Sequence, residues 1–420
     1  MEVKPGYKQT EVGVIPEGWD VVSLGLIGTF SKGRGVRKDE AASGDLPCIR
    51  YGEIYTHHND IIQSFNSWIS TYVAFTSKRL KKGDLLFAGS GETKDDIGKC
   101  VAFLGDEEAY AGSDIVLLSP SSGNSEFLGY LCNAPVVAKQ KARSGQGDAV
   151  VHVSASALAN ISIPFPPFPE QRAIAAALRD MDELLGRLDQ LIAKKRDLKQ
   201  AALQQLLTGQ ARLPAFNGEW GMVSLDAITA RSSGYWGASQ FDAVHPKQVK
   251  VIRAGDVSSD GKLTGTALRF FTGAELEKAR CQRGDVVLTG SGSVGKVWYC
   301  DDQDTIAVSN FVKVLRPDRH RVHGRFLSEL LRSDFAQSEM NAHIANGVLA
   351  NLGKSFFTKP WVPLPPLPEQ DAIATIALDL DSECSALVAR REKTYALKKS
   401  MMQELLTGRI RLLPTVADHA

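Results

Sequence analysis

Between positions 170 and 207 apolar residues recur at three- and four-residue intervals: Ile174, Ala177, Met181, Leu184, Leu188, Leu191, then Lys195, Leu198 and Ala202. That period is the seam of a coiled coil. The stretch is rich in Ala, Leu, Gln, Lys, Arg and Glu and holds no proline, so its intrinsic preference agrees with its pattern. Pro169 suits a first helical turn, Glu170 favours the positive end of the helix dipole, and Gly209 is a natural stop. A helix over these 38 positions spans roughly 57 Å. A second stretch carries Ile373, Ile376, Leu380, Leu387, Leu397 and Met401, but Glu383, Arg390 and Thr394 interrupt its seam. Neighbouring Cys384, Val388 and Tyr395 are expected to share that contact. Two separate surface helices, each lying on its own head, are the alternative. Pairing is favoured because each stripe needs a partner to bury it. An antiparallel pairing would put two heads at opposite ends, related by a two-fold axis.

Outside these stretches the pattern shortens to the period of strands. Runs bounded by Gly, Ser and Asp predict strands at Asp84–Ala88, Lys99–Phe103, Asp114–Leu118, Asp285–Thr289, Lys296–Tyr299 and Phe311–Leu315. Short helices are predicted over Ser125–Cys132 and Arg325–Ser333. The heads therefore read as mixed α/β, of the α+β kind.

The chain is written twice. Pro164-Phe165-Pro166-Pro167-Phe168-Pro169-Glu170-Gln171 returns as Pro363-Leu364-Pro365-Pro366-Leu367-Pro368-Glu369-Gln370, a shift of 199. Leu206-Leu207-Thr208-Gly209 returns as Leu405-Leu406-Thr407-Gly408 with the same shift, so the helices match in length without a gap. Trp19 and Val22-Ser23-Leu24 answer to Trp220 and Val223-Ser224-Leu225, and Gly83-Asp84-Leu85-Leu86 to Gly284-Asp285-Val286-Val287, both shifted by 201. Ile49-Arg50 answers to Ile252-Arg253, shifted by 203. A period near 200 is too long for a solenoid and marks a duplicated unit, a variable head followed by a fixed helix. The division is 1–163 (head), 164–210 (junction and helix), 211–362 (head) and 363–420 (junction and helix). Glu219-Trp220 follows the first helix, whereas its equivalent after the second, Glu17-Gly18-Trp19, stands at the start of the chain. The two ends of the sequence should therefore be neighbours.

Composition changes this picture little. With 43% hydrophobic and 23% charged residues the chain is globular, and it shows no secretory leader or membrane span, which places it in a bacterial-type cytoplasm. Six scattered cysteines without a CxxC pair, and eight histidines without ligand spacing, predict no disulfide framework and no metal site. A net charge of +1 does not by itself announce a nucleic-acid binder, so basic residues must be grouped locally or phosphate contacts shared with partners.

One segment looks catalytic. Gly290-Ser291-Gly292-Ser293-Val294-Gly295-Lys296 satisfies the phosphate-loop spacing. Val297 stands where the magnesium-binding hydroxyl belongs, and Val297-Trp298-Tyr299 reads as a strand rather than a helix. A Gly-rich hairpin is the better reading. No amino-methyltransferase tetrapeptide, nucleophile elbow or zinc-protease motif occurs. The chain reads as non-catalytic.

A head, a P-L-P-P-L-P-E-Q-like junction and a long helix ending Leu-Leu-Thr-Gly, all repeated, resemble the specificity subunit of Type I restriction–modification systems. The opening Tyr7-Lys8-Gln9-Thr10-Glu11-Val12-Gly13-Val14-Ile15-Pro16-Glu17-Gly18-Trp19 is similar to the start of such subunits. The resemblance spans essentially the whole chain. It implies two target recognition domains that each read half of a split, asymmetric site on double-stranded DNA, about one helical turn (~10 bp) apart. It also implies that the helices space the heads and dock two methyltransferase subunits, with restriction and translocase subunits recruited to them. No cofactor is implied in this chain; S-adenosylmethionine, ATP and Mg belong to the partners. The docking and coiled-coil residues are then Ile174, Met181, Leu184, Leu188, Leu191, Leu198, Ile373, Ile376, Leu380, Leu387 and Leu397.

The loop Ser31–Lys38 supplies Lys32, Arg34, Arg37 and Lys38, with glycines that let phosphate approach. Its counterpart supplies Arg231, Tyr235 and Trp236. Lys94, Arg143, Gln146, Lys296, Asn346, Asn351 and Lys354 lie in other Gly- or Ser-containing loops, with side chains that suit base edges. A solvated surface loop is the alternative at each position. Two rival readings of the whole chain stand beside the resemblance. One is a nucleotide-binding or methyl-transferring enzyme; the other is a two-headed coiled-coil scaffold that binds protein.

Overall fold

Each Pro-rich junction turns a strand into a long helix. In the computed structural model, which describes residues 4–147, 150–235, 249–264, 270–271, 279–301, 306–345 and 350–412, the strand Ser162–Phe165 leads into the helix Phe168–Thr208. The strand Val362–Leu364 leads likewise into Leu367–Leu405. A glutamine ties each junction to its head. Gln171 Nε2 donates to Pro166 O while its Oε1 accepts from Asn124 N. Gln370 does the same with Pro365 O and His323 N. Both long helices end where the repeat places them, and Gly209 and Gly408 take φ of +72° and +71°, a conformation suited to glycine.

The chain divides into two compact units, Met1–Leu188 with Arg390–Ala420, and Asp189–Ala389. In the first, four antiparallel strands lie in the order Cys100–Ala102, Leu85–Ala88, Ile115–Pro120, Gly28–Lys32. Alternation along Leu85-Leu86-Phe87-Ala88 sends Leu85 and Phe87 to one core and Leu86 and Ala88 to another, so both faces of the sheet are covered. The first core contains Phe127, Leu128 and Leu131 of the helix Ser125–Leu131. It also takes Ile174, Ala175 and Leu178 from one long helix and Leu405 and Leu406 from the other. A second sheet, Ser67–Ile69, Leu46–Ile49, Tyr110–Ala111 and Lys78–Arg79, includes the parallel pair Leu46–Ile49 and Tyr110–Ala111.

A buried clamp closes this unit. Trp19 Nε1 donates to Glu170 Oε2 at 2.9 Å, and Arg411 grips the same carboxylate through Nε and Nη2 at 2.6 and 2.8 Å. Tyr7 Oη donates to Gly408 O, so the beginning of the chain lies on the end of the second long helix, as the repeat required. Further along the helices Lys398, 7% exposed, bridges Asp60 at 2.8 Å and Asp182 at 2.7 Å, and Tyr130 Oη donates to Asp182.

The second unit repeats the plan. Its sheet runs Thr229–Ser233, Val312–Pro317, Val286–Thr289, Val297–Tyr299, all antiparallel. Its smaller sheet holds the parallel pair Val249–Ile252 and Ile306–Val308. Leu203 and Leu207 of one helix and Ile373, Ala374 and Ala377 of the other join Phe326, Leu330 and Phe356 in its core. Trp220, Glu369 and Arg212 form the clamp, and Lys199 pairs with Asp381. Pairing of Lys195 with Glu383 and of Lys199 with Asp381 shows the helices antiparallel, since one number rises as the other falls. All the strands and short helices expected from the sequence are present to within a few residues.

The seam needs a correction. Ile174, Leu188 and Ile373 are buried, and Met181, Ile376, Leu380 and Leu387 are half-buried. Leu184, Leu191, Leu198 and Leu397, which the 3–4 pattern placed inside, are 37, 41, 54 and 54% exposed. Leu185 and Ile192 take their places, with Leu178 and Leu203 in the same register. The pairs Leu184-Leu185 and Leu191-Ile192 let a heptad be drawn through either member. Inward Lys199 and Lys398, each facing aspartate across the pair, fix which one is buried. In the second helix Thr394 and Lys398 are buried, whereas Tyr395 is 55% exposed and does not share the seam.

Candidate nucleic-acid interface

The basic loop of the first head is held by its own middle. Gly33 has no room for a side chain, because a Cβ there would stand 2.0 Å from Gly112 O. Its N–H continues the sheet by donating to Ile115 O. Val36 follows at φ +57°, a costly conformation for a β-branched residue. Burial against Val73, Ala74 and Ile69 compensates it. With Val36 fixed inward, Arg34, Arg37 and Lys38 stand exposed, and among the described residues none of their side chains has a carboxylate partner, although the Arg37 backbone N–H donates to Glu40. The short helix Thr71–Thr76, which supplies Val73 and Ala74, leaves Tyr72 and Phe75 83 and 93% exposed. Aromatic faces beside unpaired arginines suit a nucleic-acid surface, and nothing in the sequence pattern singled them out.

Next to this loop lies a cleft of about 260 Å³, lined by Lys32, Gly33, Gly89, Gln146, His152 and Ser154 among others. The strand Val151–His152 pairs with Ser90–Gly91, and Gln146 bridges back to His152, so a hairpin forms one wall. Ser90 Oγ and His152 Nδ1 are 2.9 Å apart. Tyr55 Oη donates to Ser90 O, and burial pushes its phenol up to about 12, so it stays a neutral donor. Two candidates, Lys32 and Gln146, thus share one site, and His152 joins them. His152 was missed although the repeat marks it: Asn351 stands 199 positions on. Lys94 and Arg143 are exposed and do not line the cleft.

In the second head Asn351 takes the place of His152. Ser291 bridges to Asn351 and its Oγ donates to Asn351 Oδ1, as Ala345 pairs with Asn351 across the hairpin. Arg231 is paired with Asp226 at 3.3 Å and lies over the Phe357 ring at 4.0 Å, so it is less available than its loop position suggested. Tyr235 donates its N–H to Val308 O and packs beside Val251, Ala279 and Ala307. Lys354 is exposed, and Trp236 and Asn346 lie outside the described residues. Lys296 is half-buried in the Gly-rich segment, which is a hairpin. Leu288 pairs with Val297, and Gly295 N and Lys296 N both donate to Thr289. The hairpin and the strand Val297–Tyr299 that follows it are as expected, and the helix that a phosphate loop requires does not follow, which counts against nucleotide binding at this segment.

The long helices present Leu184, Leu191 and Leu198 every seven residues on exposed faces, with Leu378 and Leu397 exposed on the other. Among the described residues no group of three or more His, Cys, Asp or Glu could hold a metal ion, and no helix is long and apolar enough to cross a membrane. None of the six cysteines forms a disulfide.

A family model described as the Type I restriction modification DNA specificity domain matches residues 16–195 and again 218–394. The chain belongs to this family. Its two matches coincide with the two repeats, each a head with part of its long helix. The MjaVIII Type I restriction enzyme specificity subunit of Methanocaldococcus jannaschii is 25% identical over 95% of this chain and 94% of its own length. The EcoKI specificity subunit of Escherichia coli is 22% identical over 95% of this chain and 90% of its own. The fold is shared with the Type I restriction–modification S subunit of M. genitalium, at TM-score 0.54, 15% identity and coverage of 96 and 98%. It is also shared with a chain from a structure of type I system assembly and conformational transition, at TM-score 0.63, 18% identity and coverage of 94 and 99%. The specificity-subunit family supplies the frame in which two heads of common plan and unlike hairpin residues make sense.

Proposed function

We propose that each head reads one half of a bipartite, asymmetric site on double-stranded DNA. The observation that carries this reading is the pair of hairpins, one in each head. One pairs with Ser90 and the other with Ser291, yet the residue facing that serine is His152 in the first and Asn351 in the second, and the first lines its cleft with Gln146 and His152. Such side chains discriminate base edges, and a change of side chain on a constant backbone changes the sequence read. The basic loop with Lys32, Arg34, Arg37 and Lys38 supplies phosphate contacts beside the first cleft. Lys94 and Lys296 add to the same surfaces from their loops, Arg143 from the end of the helix Pro135–Ser144 and Lys354 from the start of the helix Lys354–Thr358. The exposed leucines of the long helices seat two methyltransferase subunits, with restriction and translocase subunits recruited through them. The chain itself performs no chemistry, and S-adenosylmethionine, ATP and Mg act in those partners.

The test is modified-base sequencing of DNA from cells expressing this chain with its cognate methyltransferase subunit. N6-methyladenine at one split, asymmetric motif, lost when the chain is omitted, is the expected result. Methylation without a motif, or unchanged without the chain, would overturn the reading.

A further inference from the structure

We propose that Lys32 in the first head and Lys313 in the second are the same phosphate contact, carried on opposite members of one cross-strand pair. This rests on the DNA-reading role above and identifies a residue to which no role has been given. In the first head Lys32 lies directly opposite Val116 in the antiparallel pair of Gly28–Lys32 and Ile115–Pro120. In the second, Ser233 lies opposite Lys313 in the pair of Thr229–Ser233 and Val312–Pro317. The flanking hydrogen bonds fix the equivalence. Gly33 N donates to Ile115 O as Gly234 N donates to Val312 O, and Gly89 N to Asp114 O as Gly290 N to Phe311 O. Ser233 therefore stands at the Lys32 position and Lys313 at the Val116 position.

Directly opposed residues of an antiparallel pair project from the same face, with Cβ atoms about 5 Å apart. A long flexible cation on either strand thus reaches the same point above the sheet edge. That point is beside Gly89 or Gly290. A Cβ on Gly290 would meet Lys313 Cγ at 3.4 Å, and one on Gly89 would meet Val116 Cγ2 at 3.7 Å.

Neither lysine has an internal use for its charge. Among the described residues no carboxylate pairs with either, and Lys313 Nζ makes only a 3.2 Å hydrogen bond to Ser233 Oγ. Burial and then the like charge of Arg231 hold Lys313 below the ordinary lysine range, so its neighbourhood disfavours the cation in the absence of an anion. Packing alone does not account for it: Val116 fills the same position without a charge, and there the lysine reappears across the strand. Gln146 and His152, by contrast, correspond to Ala345 and Asn351 in the second head. A charge retained while polar neighbours diverge is the mark of a backbone contact, which positions the duplex without reading it.

The experiment uses the full chain with its methyltransferase subunits, binding a duplex with its motif and a scrambled duplex from roughly 50 to 200 mM KCl, across which phosphate contacts reveal themselves as a salt slope. Lys313→Gln should lower the slope of log K against log salt by about 0.9, the value of one phosphate contact, and weaken both duplexes about fivefold at 0.15 M. Lys32→Gln should do the same, and the methylated motif should stay unchanged. The transposed variant Ser233→Lys/Lys313→Val, which gives the second head the arrangement of the first, should restore slope and affinity. It also separates charge from folding, as does an unchanged unfolding midpoint. An unaltered slope in Lys313→Gln, a changed motif, or no rescue by the transposition would overturn the assignment while leaving the DNA reading in place. Displacement of DNA by inorganic phosphate at matched ionic strength would identify a free anion as the ligand and overturn it too. A wild-type complex without salt-dependent duplex binding would remove the reading itself.

Discussion

Glu170 holds Trp19 at 2.9 Å and Arg411 at 2.6 and 2.8 Å; Glu369 holds Trp220 at 3.0 Å and Arg212 at 2.6 and 2.8 Å. The clamps of the two units are the same object built twice. The lining of the first unit's cleft is not copied: its Lys32, Gln146 and His152 correspond in sequence to Ser233, Ala345 and Asn351. The lysine bridges between helices fall between these extremes. Lys398 is 7% exposed between two aspartates, whereas Lys199 is 21% exposed and meets Asp381 alone. What is copied faithfully holds a head to its helices. What has drifted faces outward, where a duplex could read the difference.

The comparison can be broken most severely at the lysines. Lys398→Ala should cost about 4 kcal/mol in urea unfolding, because it strands Asp60 and Asp182 in a dry site, whereas Lys199→Ala should cost under about 1 kcal/mol. Similar losses for both would show the two bridges equivalent. The pH dependence has a sign. Burial pushes Lys398 down, but Asp60 and Asp182 outweigh it and hold it above the ordinary lysine range. Its contribution is therefore complete below the unfolded value near 10.4 and fades as pH rises beyond it.

The clamps should fail equally. Glu170→Gln and Glu369→Gln each remove a buried partner of a bidentate arginine, and each should cost about 3 kcal/mol, read by hydrogen exchange in its own unit. A difference of more than about 1.4 kcal/mol, a more than tenfold ratio in protection, would mean the copies have diverged in energy despite their geometry. Leu185→Ala should cost about 2–4 kcal/mol by opening a cavity, and Leu184→Ala under about 0.5 kcal/mol while weakening methyltransferase docking. Equal costs would refute the corrected seam.

In the hairpins, His152→Ala should relax base preference in one half-site and Asn351→Ala in the other, each by about 1–3 kcal/mol of discrimination in a binding series over single-base variants. A variant that alters both halves would sink the one-head, one-half assignment. The smallest effect belongs to His58, which burial holds below the ordinary histidine range. The unfolded chain takes up a proton near pH 6.5 that the folded unit refuses, so stability falls as pH drops below that value. Acid should therefore loosen the first unit by this route, and His58→Gln should abolish that loss.

The duplication, both long helices, their ends, the strands around them and the meeting of the chain's beginning with the end of the second helix were all legible in the sequence. Each follows from local preference or from a repeated string, and neither depends on what packs where. Glu170 shows the limit of that logic. Its place in the first turn matched the helix dipole, yet its carboxylate is 2% exposed and engaged by residues 151 positions before and 241 after it. The seam shows it again, since adjacent leucines satisfy one period equally and only the aspartates of the opposite helix choose between them. Among the candidate DNA contacts, Gln146 and Asn351 were found as polar loop residues, while His152 and Lys313 were not, because their meaning lies in a strand register. Period and repetition are properties of the string, so the sequence alone determined two heads and two paired helices. Which side chain faces a partner depends on contacts between residues far apart in that string, and the tertiary structure alone decided it.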